Sequence, residues 1–386
     1  MTTTLITNIG TIISGDIKNP ILSGNALLLE DGRIKQIGTS SEMQDFKPDA
    51  RIDCAGTTVA PGLIDSHCHP VFGDYTPRQM QVGFLESEVH GGVTTFISAG
   101  EPHLPGRPKD RAGTKALAIL GAKSFANFRP GGGKVIGGSV ILEKGLTRED
   151  FAEMAEAGVR TVGEVGLGSV KDPEEAAQML AWAREFGMTS MMHTGGTSIP
   201  GSTSVTADMV IRAGVDIAAH VNGGPTAIPL SEAEKLIRTT QVIIEIVHCG
   251  NPRMACEVLK LCQDAGCLDR VIIGNDAPSG TGVVPLGILR VVNHLASLTD
   301  LAPEQALCLA AGNTARVHKL DCGLIEPGRD ADLVIMDAPM GSVGDDALSA
   351  IKAGDIPAVS MVLVEGQVVL TKSRNTPPTE RMPALT

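Results

Sequence analysis

Short apolar runs alternate with amphipathic stretches through the middle of the chain. Eight strand-like runs can be counted, at residues 57–67, 91–99, 134–142, 159–167, 188–193, 215–220, 241–248 and 271–276. Stretches with apolar residues at helical spacing fill the gaps, among them 173–186, 231–239 and 253–265. Most are entered through Ser, Thr, Asp or Pro, which suit the unsatisfied amides of a helix start. A strand followed by a helix, eight times over about 250 residues, predicts the α/β class and a (β/α)8 barrel. The competing architecture is an open doubly wound sheet. That sheet would want a Gly-rich phosphate loop after its first strand, and Pro61-Gly62-Leu63-Ile64-Asp65 is not one.

The two ends of the chain read differently. Residues 5–14, 25–29, 33–37 and 50–54 look like short strands, with Asp31-Gly32 between the second and third. Asp-Gly between apolar runs is a strong hairpin signal. A matching set closes the chain at 331–336 and 359–364, the latter turning at Glu365-Gly366 into 367–370. Neither set alone buries a useful face, so the two are expected to share one small sheet. The tail after Lys372, with Pro377, Pro378 and Pro383, reads as a poorly ordered extension.

Composition narrows the partners. Only 3% of the 386 residues are aromatic while 42% are apolar, so the interior is built from Val, Ile, Leu, Ala and Met, which suits buried parallel strands. Thirty-two basic against 44 acidic residues leave a net charge of -12 and no basic footprint for nucleic acid or an anionic membrane. Eight cysteines without a CxxC pair argue for reduced thiols over disulfides or a thiolate zinc site. No basic segment precedes an apolar run at the start, and no run of 18 apolar residues occurs anywhere, so a cytoplasmic protein is expected.

Candidate chemistry lies at the strand ends. His67-Cys68-His69 closes the first run, and because side chains alternate along a strand, both imidazoles point to one side while Cys68 points away. Later runs end in Glu164, His193, His220, His248 and Asp276, at successive spacings of 29, 27, 28 and 28. One βα unit has that length, so these residues stand side by side on one rim, where barrel enzymes carry their active sites. Each His alone could satisfy a local backbone group; five polar residues in step are poorly explained that way. His and carboxylate donors suit Zn, Fe(II) or Mn. Two ions would need a bridging ligand, for which Glu164 on a middle strand is the candidate. A Cys249-His248 nucleophile is disfavoured because neighbouring strand residues face opposite ways. The GGGK run at 131–134 lacks the following Ser or Thr of a phosphate loop and reads as a turn.

The stretch VAPGLIDSHCHP, followed by the spaced histidines and GNDAP, resembles the amidohydrolase superfamily of metal-dependent hydrolases over nearly the whole chain. The resemblance implies a (β/α)8 TIM barrel of residues 57–319 and a small β-sandwich domain formed by both termini, residues 1–56 and 320–386. It implies that His67, His69, Glu164, His193, His220 and Asp276 hold two divalent ions, Zn and/or Fe(II), bridged by Glu164 and a hydroxide. The commonest bridge in that superfamily is a carboxylated Lys, whereas the nearest lysine here, Lys171, falls seven residues after Glu164 in a predicted loop. Asp276 would then pass a proton from water to the departing nitrogen. The expected substrate is a small cyclic amide, most narrowly a tetrahydropyridone carboxylate, and the expected assembly is a homotetramer. His248, where the pattern has no ligand, is assigned to the substrate with Thr194 and Asn222. A substrate carboxylate would want Arg78, Arg107 or Lys171. The alternatives are a one-metal deaminase or N-acetyl deacetylase of the same superfamily, and a hydrolase-like assembly protein without chemistry.

Overall fold

All eight central runs form parallel strands: β1 (Leu63–Cys68), β2 (Val93–Ser98), β3 (Lys134–Ile136), β4 (Thr161–Val165), β5 (Thr189–His193), β6 (Ile217–Ala219), β7 (Ile243–Val247) and β8 (Val271–Gly274). A computed structural model describes them within residues 2–70, 82–100, 107–197, 203–223, 226–278 and 284–386; Arg78, His103 and Gly224 lie outside these. β1 to β3 form one ladder and β4 to β8 another, every pairing parallel. Two seams close the barrel. Val140 bridges Val162 on one side. On the other, Asp276 donates its amide to His67 O at 2.7 Å and His69 to Ala277 O at 2.9 Å.

Helices cover the outside, and their starts follow capping rules. Asp172 accepts from the amides of Glu174 and Glu175 ahead of Pro173–Glu185, and Asn251 accepts from Met254 ahead of Pro252–Asp264. Inside, the lower barrel is apolar: Ala99, Met191, Ile217, Ala219 and Ile272 form a fully buried cluster. The short helix Thr314–His318 closes this floor, with Val317 packed on the cluster and its carbonyl accepting from Thr189 Oγ1 at 3.4 Å. No helix of the described residues is long and apolar enough to cross a membrane.

The termini form two sheets, the sandwich that the resemblance implied, rather than the one small sheet read from the turn pattern. The first runs in the order 384–385, 50–53, 3–7, 26–30, 33–38, and the second 367–370, 358–364, 333–337, 58–61, 11–13, 21–22. Ile6, Leu27, Leu29 and Ile52 of the first meet Ile12, Val59, Leu333 and Leu363 of the second in a separate core. A second sheet is required because the strands are two-faced: Val334, Met336, Val359 and Val362 turn the opposite way and join the core of the barrel. Both predicted turns have positive φ at their two central residues, 47° and 81° at Asp31-Gly32 and 47° and 71° at Glu365-Gly366, the geometry that matches strand twist.

Two further expectations are corrected. The run 57–67 is not one strand: Thr58–Pro61 pairs with 333–337 in the outer sheet, and β1 begins after Gly62. A Cβ at Gly62 would fall 2.2 Å from Thr94 Oγ1, so only glycine lets the chain pass this close to β2. The tail after Lys372 is not loose either. Ser373 Oγ donates to His90 O at 2.8 Å, Arg381 pairs with Asp337, and Ala384–Leu385 adds a strand against Ala50–Asp53.

Candidate metal centre

The first strand carries an irregularity that shapes the site. Its register against β2 shifts between Asp65 and Cys68, so two consecutive side chains, Ser66 and His67, both reach groups inside the barrel. Asp65 fixes this bulge from outside, its Oδ1 accepting the amides of His67 at 3.0 Å and Asn275 at 2.9 Å. After it, alternation resumes. His69 joins His67 with ring centroids 5.1 Å apart, while Cys68 Sγ turns to Ile97 O at 3.4 Å. His220 and Asp276 sit at strand ends with φ of 36° and 57°, sparsely populated values for residues with a Cβ that are met at functional sites.

Six residues converge at the upper end of the barrel. The donor atoms of His67, His69 and Asp276 lie within 4.8 Å of one another, as do those of Glu164, His193 and His220. Glu164 stands between the two groups. Its Oε1 is 2.6 Å from His220 Nε2 and 3.7 Å from His193 Nδ1. Its Oε2 is 3.6 Å from His69 Nε2 and 3.8 Å from His67 Nε2. Asp276 Oδ1 is 3.3 Å from His69 Nε2 and 3.5 Å from His67 Nε2.

The other ring nitrogens are held from behind, which fixes tautomers. His69 Nδ1 faces Gly100 O at 3.1 Å and His193 Nε2 faces Gly196 O at 2.8 Å, so each donates to a carbonyl and turns a lone pair to the centre. His67 Nδ1 is anchored on Glu245 Oε2 at 2.7 Å. Glu245 is fully buried, accepts from Ser66 Oγ at 2.6 Å on its other oxygen and takes the His220 amide at 3.2 Å. Glu245 is not among the candidate residues read from the sequence, which missed this anchoring role. The signal was a lone carboxylate in the otherwise apolar strand IIEIV, which cannot stay buried without partners.

Electrostatics identify what the cluster lacks. Burial alone would depress His67, yet Glu245, Asp276 and Glu164 outweigh it and hold the imidazole well above its usual range. Burial also opposes a rise at His220, which Glu164 overcomes. Burial would raise the Asp276 carboxyl, but His67, His69 and His220 keep it below its ordinary value. Among the described residues, the charges that answer the three carboxylates Glu164, Glu245 and Asp276 in this buried space are those of imidazoles, and His67 Nε2 is buried there with no hydrogen-bond partner. Such a donor set fits divalent cations, since buried anions need compensating positive charge.

The three residues assigned to the substrate do not join this group. Thr194 Oγ1 donates to Ala219 O at 2.7 Å within the wall. Asn222 accepts the Val247 amide at 2.8 Å and donates to Val247 O at 3.0 Å, tying β6 to β7. His248 lies past the end of β7, held below its usual range by burial and by Arg290 and His294, with Nδ1 buried and unpartnered. None of the eight cysteines is in a disulfide.

The family model for the amidohydrolase family matches residues 58–369, a span holding all six converging residues. The chain belongs to the amidohydrolase family. It is 56% identical over 381 residues to an enamidase of Eubacterium barkeri, covering 99% of both chains. A crystal structure of enamidase superposes with a TM-score of 0.96 over 100% of both chains, again at 56% identity. An adenine deaminase of a Ruegeria species is 25% identical over 82% of this chain and 51% of that one. A β-aspartyl dipeptidase from Fervidobacterium islandicum, at 16% identity and a TM-score of 0.66, shares the fold.

Proposed function

We propose that this amidohydrolase opens the ring of a cyclic amide, most narrowly converting 6-oxo-1,4,5,6-tetrahydronicotinate to 2-formylglutarate with release of ammonia. The observation that carries the reading is the full-length 56% identity to an enamidase, kept across the span that holds the six converging donors. In this reading His67, His69, Glu164, His193, His220 and Asp276 would hold two divalent ions, zinc and/or iron(II). When bound, such ions polarise a carbonyl and bring the pKa of water down to about 7.

Asp276 lies 3.3 Å from His69 Nε2, and the neighbouring imidazoles hold its carboxyl below its ordinary pKa. It takes the proton of the attacking water and returns it to the ring nitrogen as the C–N bond breaks, a service worth about 10² to 10⁴ in rate. That step consumes one water and leaves a carboxylate and an enamine. The enamine tautomerises to an imine, and a second water replaces its nitrogen to give the aldehyde and ammonia. Glu245 contributes by holding the His67 ring at a fixed angle.

The test is a panel of cyclic amides, imides, ureas and exocyclic amines assayed with Zn or Fe(II) supplied. Ring opening of the tetrahydropyridone carboxylate in preference to all others supports the reading. Inactivity on it, or ammonia released from an exocyclic amine with the ring intact, overturns it. Elemental analysis should return two ions per chain, and light scattering a tetramer.

A further inference from the structure

Two of the three cations that sequence put forward for a substrate carboxylate meet at the lip of the metal centre. The amide of Leu167 turns back to Glu164 O at 3.3 Å, so a tight turn starts on Glu164 itself. Its last two carbonyls, those of Gly166 and Leu167, each receive a cation. Lys171 Nζ donates to Gly166 O at 2.5 Å, and Arg107 Nη2 donates to Leu167 O at 3.4 Å. This turn leans on the site: a Cβ built on Gly166 would lie 3.9 Å from His193 Cβ. Lys171, seven residues away in sequence, is therefore folded back to within two residues of the central carboxylate.

The carboxylate that answers these cations is Glu143, fully buried, which accepts from Arg107 at 3.2 Å and from the Ser169 amide at 2.8 Å. Among the described residues, Arg107 and Lys171 thus share the single carboxylate of Glu143, and Lys109 adds to the same field. Burial lowers the pKa of Lys171; Glu143 opposes that shift, and Arg107 and Lys109 add to it. In a chain of net charge -12, these cations lie beside a cage that holds three carboxylates. The Arg107 side chain is only 12% exposed, so its planar fork is held in place, the geometry that suits an oxyanion.

We propose that Arg107 and Lys171 form an anion subsite that receives the carboxylate of the substrate; this rests on the ring-opening reading above. The chemistry of the ring agrees with the placement. In a six-membered lactam with its carboxylate para to the carbonyl, the two groups leave opposite edges, so one enters the cage while the other reaches the lip.

The experiment compares the tetrahydropyridone carboxylate with its neutral carboxamide in the wild type and in Lys171→Met, Arg107→Lys and Lys171→Arg. Calorimetric titration with glutarate serves as a binding probe that needs no turnover. Each charge-assisted contact is worth about 10- to 100-fold. Lys171→Met should therefore lower the carboxylate-over-carboxamide ratio of kcat/KM, chiefly through KM, and weaken glutarate by a similar factor. Lys171→Arg should restore most of both. Arg107→Lys keeps the cation but loses the fork and should fall between. A wild type that opens the ring, with variants that keep its ratio and its glutarate affinity, overturns the subsite and leaves the ring-opening reading standing. A wild type inert on the ring but binding glutarate more tightly than Lys171→Met overturns the reaction and leaves the anion subsite.

Discussion

The two ends of one barrel are built from the same strands and obey opposite rules. On β5, Met191 and His193 are two residues apart and both point inward. The first joins a fully apolar floor, and the second stands in a cage of imidazoles and carboxylates. β7 repeats the contrast with Ile243 below and Glu245 above. The floor is held by contact area and needs nothing from outside. The cage gathers three carboxylates in a buried space and rests on ions for their charge balance. Stability and chemistry are thus separated by about two residues of rise along each strand.

Substitutions at the two ends should therefore fail in different currencies. The largest effect is expected from Asp276→Asn, which should lower kcat by about 10² to 10⁴ while thermal unfolding stays near that of the wild type. An equally active variant on every cyclic amide would remove the proposed proton transfer. Next is Met191→Ala in the floor, expected to cost about 2 to 5 kcal/mol in denaturant unfolding, with ion content per folded chain unchanged. A loss of ions without a loss of stability would break the comparison. Glu245→Gln should weaken divalent-ion affinity by roughly 10- to 100-fold in a chelator competition, because His67 loses its anchor. An unaltered affinity would reduce Glu245 to wall packing.

The smallest expected effect concerns pH and belongs to the floor. Burial lowers His318 to about 4, and its Nε2 has no partner. Its unfolded form binds a proton near the ordinary 6.5, so between those values the unfolded state holds more protons. The stability contributed is complete above about pH 6.5 and is lost as pH falls toward 4, on the order of 1 to 2 kcal/mol by pH 5. His318→Gln should flatten that part of the unfolding profile; an unchanged slope would assign the acid sensitivity to other groups.

Much of this was legible in the sequence. The βα period is written in the spacing of Glu164, His193, His220, His248 and Asp276, because each strand must return to the same rim. The six converging donors could be named because a strand end is where a polar residue interrupts an apolar run. What was hidden depends on contacts between distant segments. Thr194 and Asn222 sit next to ligand strands in one dimension, and only in three do the hydrogen bonds they complete in the wall appear. Glu245 interrupts its run in mid-strand, where a strand-end rule does not look. The split at Gly62 follows from the approach of Thr94, and the ordered tail from Asp337 waiting for Arg381. No local pattern announces either.

The strand at 58–61 lies between 333–337 and 11–13, and the strand at 50–53 has 384–385 on one side and 3–7 on the other. As the polypeptide leaves the ribosome, these early strands lack their outer neighbours until more than 270 further residues have been translated. The barrel is made in between, so it is available as a template before the sandwich can close. During synthesis the exposed edges of the first strands are thus the part of the molecule most in need of a chaperone.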